Sequence, residues 1–265
     1  MTWPRTAVVV TTALVACAVG CADTGEVVVT GAGNAYARDG IPSRATSDTW
    51  SITFSRALIA VSAVQVGGLE ASTSFFTLDL TAPGADPAGR LAAGKLPTGL
   101  CPAVRFAVMP LSGNPSTMPA DAAFMTAHGY SVYVEGVATR AAVAKSFAWG
   151  FGAATKHTCP TGATIHDGAT TTVPVVFDIA TLFLDDLVSP DPRLAFDLIA
   201  SADADGDGVV TEAELREFDI STQDRYQVGG AQIDRLWDFI EFLSGEIGQV
   251  EGQASCSLES ISETH

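Results

Sequence analysis

Between Asp203 and Glu214 the chain reads Asp-Ala-Asp-Gly-Asp-Gly-Val-Val-Thr-Glu-Ala-Glu, a run in which side-chain oxygens recur at nearly every second position. Asp203, Asp205, Asp207 and Glu214 offer carboxylates and Thr211 a hydroxyl, with no sulfur or imidazole among them. Hard oxygen donors packed this densely suit a hard divalent cation, and calcium takes six to eight of them. Gly208 stands where such a loop must turn sharply.

The run resembles the calcium loop of EF-hand proteins, and the likeness covers roughly residues 192 to 219. The resemblance implies that Asp203, Asp205 and Asp207 ligate from positions 1, 3 and 5. Val209 contributes only its backbone carbonyl, Thr211 its hydroxyl or a bridging water, and Glu214 a bidentate carboxylate. Val210 is the apolar residue that pairs with a partner loop in that family. Around the loop, Asp191-Pro192 offers an N-cap followed by proline. Leu194, Leu198, Ile199 and Ala202 then keep helical spacing up to Asp203, and Leu215 to Phe218 continues an exiting helix. No second loop accompanies the first: Asp219 to Gly230 holds acids only at Asp219 and Asp224. A lone loop must lean on the rest of its own chain or on another molecule. That favours a stabilising calcium over a sensor switch.

Met1 to Gly20 has the form of a secretion signal, Arg5 followed by the apolar stretch Ala7 to Gly20, too short to span a bilayer. It ends in two consecutive boxes, Leu14-Val15-Ala16-Cys17 and Ala18-Val19-Gly20-Cys21, which resemble bacterial lipoprotein cleavage sites. Either cysteine could be acylated; the polar Ala22-Asp23-Thr24-Gly25 that follows favours Cys21. The expected product is exported and lipid-anchored in the bacterial envelope. With Cys21 lipidated, Cys101, Cys159 and Cys256 remain, and an oxidising compartment predicts one disulfide with a thiol left over. Cys159–Cys256 ranks first because it would staple the tail to the body, while pairings through Cys101 stay open.

Net charge is −16 and is unevenly placed. Residues 1 to 177 carry 10 acids and 10 bases, whereas 178 to 265 carry 20 acids and 4 bases. An anionic surface repels nucleic acid and acidic lipid heads and attracts cations, so nucleic-acid binding is disfavoured. The protein partner is not legible.

The division of charge matches a division of pattern. Short β-rich runs punctuated by Gly, Pro and Asp fill Glu26 to Asp178, with strands expected near Glu26–Thr30, Trp50–Val66, Phe75–Leu80, Val104–Pro110, Tyr130–Thr139, Lys145–Phe151 and Thr171–Asp178. A short helix is expected around Pro119 to Ala127, and Thr81 to Thr98 is expected to be a loop. The Gly31-x-Gly33 pair lacks a third glycine and a following helix, so it is taken as a turn rather than a dinucleotide fingerprint. Tyr226 to Phe242 contains an amphipathic helix whose stripe is Ile233, Leu236, Trp237, Ile240 and Leu243. The predicted class is therefore a β-rich α+β protein: a signal and lipobox over 1–21, a β-sandwich over 22–178, and a helical acidic module over 179–265 with its loop at 203–214.

A series of landmarks in the β region is similar to the MbnP-type periplasmic copper-binding lipoproteins. These are Leu58-Ile-Ala-Val-Ser62, Leu78-Asp-Leu80, Leu96-Pro-x-Gly99 before Val104-Arg-Phe106, Phe147-x-Trp149-Gly150 before a cysteine, and Val176-Phe-Asp178-x-x-x-Leu182-Phe183. The resemblance implies a shared fold, but Trp149 stands about where that family has a histidine, a departure at its metal site. A separate transition-metal site is conceivable from His157, Cys159, His166 and Asp167, although a disulfide at Cys159 would remove the thiolate. Asp178, Asp185 and Asp186 could bridge the two modules through a second calcium, or simply cap and solvate a strand end.

Catalytic constellations are lacking: there is no Gly-x-Ser-x-Gly elbow, no His-Glu-x-x-His and no phosphate loop. The expected function is non-catalytic calcium binding by an exported lipoprotein. A periplasmic copper-type protein with structural calcium is one alternative, and a calcium-ordered surface adhesin is another.

Overall fold

The computed structural model describes residues 23–69, 72, 74–82, 89–99, 102–252 and 256–261. The signal sequence, Cys17, Cys21 and Cys101 lie outside the described residues. In chain order the elements are β1 (Thr24–Gly33), α1 (Ala35–Asp39), β2 (Ser51–Val66), β3 (Phe76–Asp79), β4 (Arg90–Pro97), β5 (Val104–Val108), α2 (Ala120–His128), β6 (Val132–Arg140), β7 (Val143–Phe151), β8 (Thr155–Cys159) and β9 (Thr170–Phe177). A 3-10 turn at Ile179–Phe183 leads to α3 (Asp197–Ser201), β10 (Val209–Val210), α4 (Glu212–Glu217), α5 (Leu236–Ser244), β11 (Gly248–Val250) and β12 (Ser257–Ser260).

The strands form two sheets, β11-β9-β1-β4 and β10-β7-β6-β2-β5-β8-β12, with β3 paired to β2. Alternation explains why they face each other. In β1, Val27 and Val29 turn inward, and Val173, Val175 and Phe177 do so in β9. They meet Ile52, Phe106, Val134, Phe147 and Trp149 of the second sheet in one hydrophobic core, a β-sandwich. The middle of β2 is different. Ala57 to Ser62 is buried without alternation because α2 covers the sheet's other face, where Leu58, Ala60, Leu111 and Met125 make a second small cluster.

The acidic C-terminal segment is built into this sandwich. Phe183, Phe196, Ile199, Leu215, Trp237, Ile240 and Leu243 belong to the same core cluster, and Trp237 stacks on Phe151 with ring centroids 4.8 Å apart. β11 extends the first sheet, while β10 and β12 lie at opposite edges of the second. A Cys159–Cys256 disulfide joins the end of β8 to the residue just before β12.

Several expectations need correction. Thr81–Thr98 contains β4, in which a bulge at Leu91 and the small Ala92, Ala93 and Gly94 erase the alternation that would mark a strand. β8, absent from the expected strands, forms at Thr155–Cys159, where Thr155, His157 and Cys159 all point inward. Gly31 and Gly33 are not a turn but lie in β1. A Cβ at Gly31 would stand 2.9 Å from Leu78 Cδ1, so close packing is what requires the glycine. The helix drawn from Tyr226 starts only at Leu236, because the bridge between Asp219 and Arg235 keeps Arg235 extended (φ −115°, ψ 143°). The entering helix shrinks to Asp197–Ser201, since Leu194 is held in extended bridges to Thr46 and Leu184, and Asp191 does not cap it.

Candidate metal centre

The acidic loop is held from three sides. Its entering helix is capped from outside: Asp48 Oδ2 accepts from the backbone N–H groups of Phe196 (2.5 Å) and Asp197 (2.6 Å). Asp197 in turn accepts from Trp50 Nε1 at 2.9 Å and Arg140 at 2.5 Å, which fixes α3 against the sandwich. The exiting helix caps itself. Thr211 Oγ1 accepts from Glu214 N at 3.3 Å while Glu214 Oε2 accepts from Thr211 N at 2.8 Å, a capping box.

The third hold is a strand pairing with the sandwich. Val209 and Val210 lie parallel to Ser146 and Phe147 of β7, so the loop's short strand becomes the edge of the second sheet. Ser146 N donates to Gly208 O at 2.8 Å, and Trp149 Nε1 donates to Val210 O at 2.8 Å. Val210 is buried among the core residues; Val209 faces outward. The loop thus leans on its own chain.

Within the loop, Gly206 (φ +74°) and Gly208 (φ +86°) take left-handed conformations that side chains resist, although there is open space around Gly206 and only Ala144 O, 3.6 Å away, near Gly208. The glycines are there for conformation. They curl the chain so that backbone N–H groups point at carboxylates. Asp203 Oδ1 accepts from Gly206 N (2.8 Å), Asp203 Oδ2 from Gly208 N (3.0 Å), Asp205 Oδ1 from Asp207 N (3.1 Å), and Glu214 Oε1 from Ala204 N (3.0 Å). Asp203 Oδ2 also accepts from Lys145 Nζ of β7.

One oxygen each from Asp203, Asp205 and Glu214 lies within 4.8 Å of the other two. Calcium holds its oxygens at about 2.3–2.6 Å, so oxygens on one coordination sphere stand up to about twice that distance apart. The three therefore fit a single ion, and the cluster can hold a metal. Asp207 stands outside it, with Oδ1 accepting from Val209 N at 2.7 Å. Thr211 Oγ1 donates to Glu214 Oε2 at 2.8 Å.

Electrostatics keeps Asp203 and Glu214 charged. Lys145 above all, then the Gly208 and Gly206 amides, hold Asp203 below the usual carboxylate range. The Thr211 amide and hydroxyl do the same for Glu214, opposed by burial and by the nearby Asp203 charge. Sequence reasoning missed Lys145, Ser146 and Trp149 as parts of this site, because their link to the loop spans some sixty residues and leaves no local spacing signal.

The other candidate groups are spent on structure. Cys159 is in the disulfide, His166 and Asp167 are exposed, and His157 is fully buried, stacked on Phe106 at 4.6 Å. They form no transition-metal site. Burial pushes the His157 imidazolium down to about 4, only partly offset by the backbone of Gly248 and Gly245. Asp178 caps the 3-10 turn, accepting from Ala180 N at 3.0 Å and Asn34 Nδ2 at 2.5 Å. Asp186 accepts from Val188 N and Ser189 N, both at 2.8 Å, and Asp185 is held by Arg193 and Arg225. These carboxylates cap and pair; they do not converge.

Fold and site together define a disulfide-bonded β-sandwich with an acidic, metal-competent loop annealed to one sheet edge. No family model matches the chain, and no curated protein matches it. Among solved structures, MbnP from Methylosinus trichosporium aligns at 13% identity with a TM-score of 0.36, covering 90% of this chain and 99% of that one. A TM-score of that size carries no argument about fold, site or activity. Among the described residues, no helix is long and apolar enough to cross a membrane.

Proposed function

We propose that this chain is an exported, lipid-anchored bacterial protein that binds calcium through residues 203–214, without catalysis, and that the ion stabilises its fold. The observation that carries the reading is the convergence of Asp203, Asp205 and Glu214, one oxygen from each within 4.8 Å of the others, in a loop whose sequence holds a full set of calcium donors. Hard carboxylate oxygens with no sulfur or imidazole among them favour calcium over copper or zinc. The −16 net charge, all of it in residues 178–265, draws cations toward the loop. A structural role fits better than a sensor role, since a single loop paired with a sheet has no second hand whose helix angle it can change.

Calorimetric titration of the purified protein is expected to give one calcium site, as weak as ~10⁻⁴ to 10⁻³ M if it behaves like extracellular modules. Glu214→Gln should abolish or greatly weaken it. Equal affinity in that variant would refute the ligand assignment, and copper retained through purification would favour the periplasmic copper-type alternative. The anchor rests on the boxes ending at Cys17 and Cys21. Changing both to Ser should release the protein from the membrane fraction or block its processing; unchanged membrane association would remove the anchor from the account.

A further inference from the structure

We propose that Lys145 sets the affinity of the loop, acting as a built-in cation that holds Asp203 when calcium is absent and weakens calcium when it arrives. The inference deepens the calcium reading and rests on it. By strand alternation Lys145 shares the inward face of β7 with Phe147 and Trp149, both buried in the core. A lysine on that face needs a partner, and it has one: its Nζ donates to Asp203 Oδ2, a side chain with 0% exposure, while the lysine itself is only 16% exposed. The adjacent residue keeps the pair together. Ser146 N binds Gly208 O at 2.8 Å, so the loop cannot draw away from Lys145 without losing its parallel pairing to β7.

Both oxygens of Asp203 are therefore engaged: Oδ1 by Gly206 N and Oδ2 by Gly208 N together with the ammonium. An incoming ion must either take Oδ2 from Lys145 or sit beside a fixed positive charge. Each course lowers affinity, because like charges a few ångströms apart in a half-buried site repel strongly. The same ammonium offsets the mutual repulsion of Asp203, Asp205 and Glu214, so it keeps the ion-free loop folded. One residue should thus push the two states in opposite directions.

The test is calcium titration calorimetry and thermal unfolding on the full protein, comparing the parent with K145M, which keeps the aliphatic stem and removes the charge. K145M is expected to bind calcium about tenfold tighter and to melt earlier than the parent in chelator. K156M, which removes an exposed lysine on β8 away from the loop, is expected to match the parent in both measurements. If K145M does not fold, K145Q is measured in the same way. A parent that binds calcium while the charge-free variant binds no tighter overturns the role of Lys145 and leaves the calcium reading standing. A parent that binds no calcium overturns both.

Discussion

Two groups of carboxylates lie in the acidic segment, and they are put to different uses. Asp185 is buried, but Arg193 and Arg225 both reach it, and the Arg193 amide donates to its Oδ1 at 2.8 Å. Those partners hold its carboxyl below the usual range even though burial pushes it up. In the loop, Asp203, Asp205 and Glu214 converge with Lys145 as the cation in contact. The first group is neutralised by its own arginines. The second keeps an excess of negative charge at one point, fixed by amides that orient the oxygens without cancelling them. The density of acids in the sequence is thus a poor guide to a metal site, and the shortfall of positive partners is a better one.

The comparison predicts separable effects, of which breaking the arginine pair is the largest. Asp185→Asn should cost about 3 kcal/mol, since it removes charge-assisted bonds to two arginines around a buried group. Denaturant titration with and without calcium is the check. The variant should keep the parent's calcium-dependent gain, about 2.7 kcal/mol at a hundredfold excess over the dissociation constant. Loss of that gain would mean that the two groups are coupled rather than independent.

A buried ionisable group with no charged partner sharpens the contrast. His157 is depressed to about 4 by burial, so between that value and 6.5 the unfolded chain binds a proton that the folded one excludes. Stability from this residue is fully present above about pH 6.5 and is lost as pH falls, by about 2 kcal/mol at pH 5. Unfolding measured at pH 7 and pH 5 in the parent and in His157→Phe is expected to show a flatter dependence in the variant. An unchanged slope would mean that the carboxylates alone set the acid response.

Much of this was legible beforehand, and the gaps have physical causes. Local signals worked where the residues themselves carry the chemistry, as in the clustering of Asp203, Asp205 and Glu214, the alternation of Trp50-x-Ile52-x-Phe54 and the ranking of Cys159 with Cys256. β4 was hidden because Ala92, Ala93 and Gly94 give no contrast between its faces. The entering helix was overdrawn because its start is set by a long-range anchor: Asp48 caps it across about 150 residues. Lys145 and Trp149 were invisible as site residues for the same reason. Their partners are chosen by the register of β7, and a strand's pairing partner is not written in its own sequence.

Hydrogen exchange with calcium and with chelator tests the central claim most directly, that calcium stabilises a loop annealed to the sheet. Calcium is expected to slow exchange across 203–214 and at Ser146, whose amide binds Gly208 O, while β9 at Thr170–Phe177 on the other sheet changes little. Unchanged exchange in the loop, or calcium exposing a new apolar surface that binds dye, would contradict the structural reading.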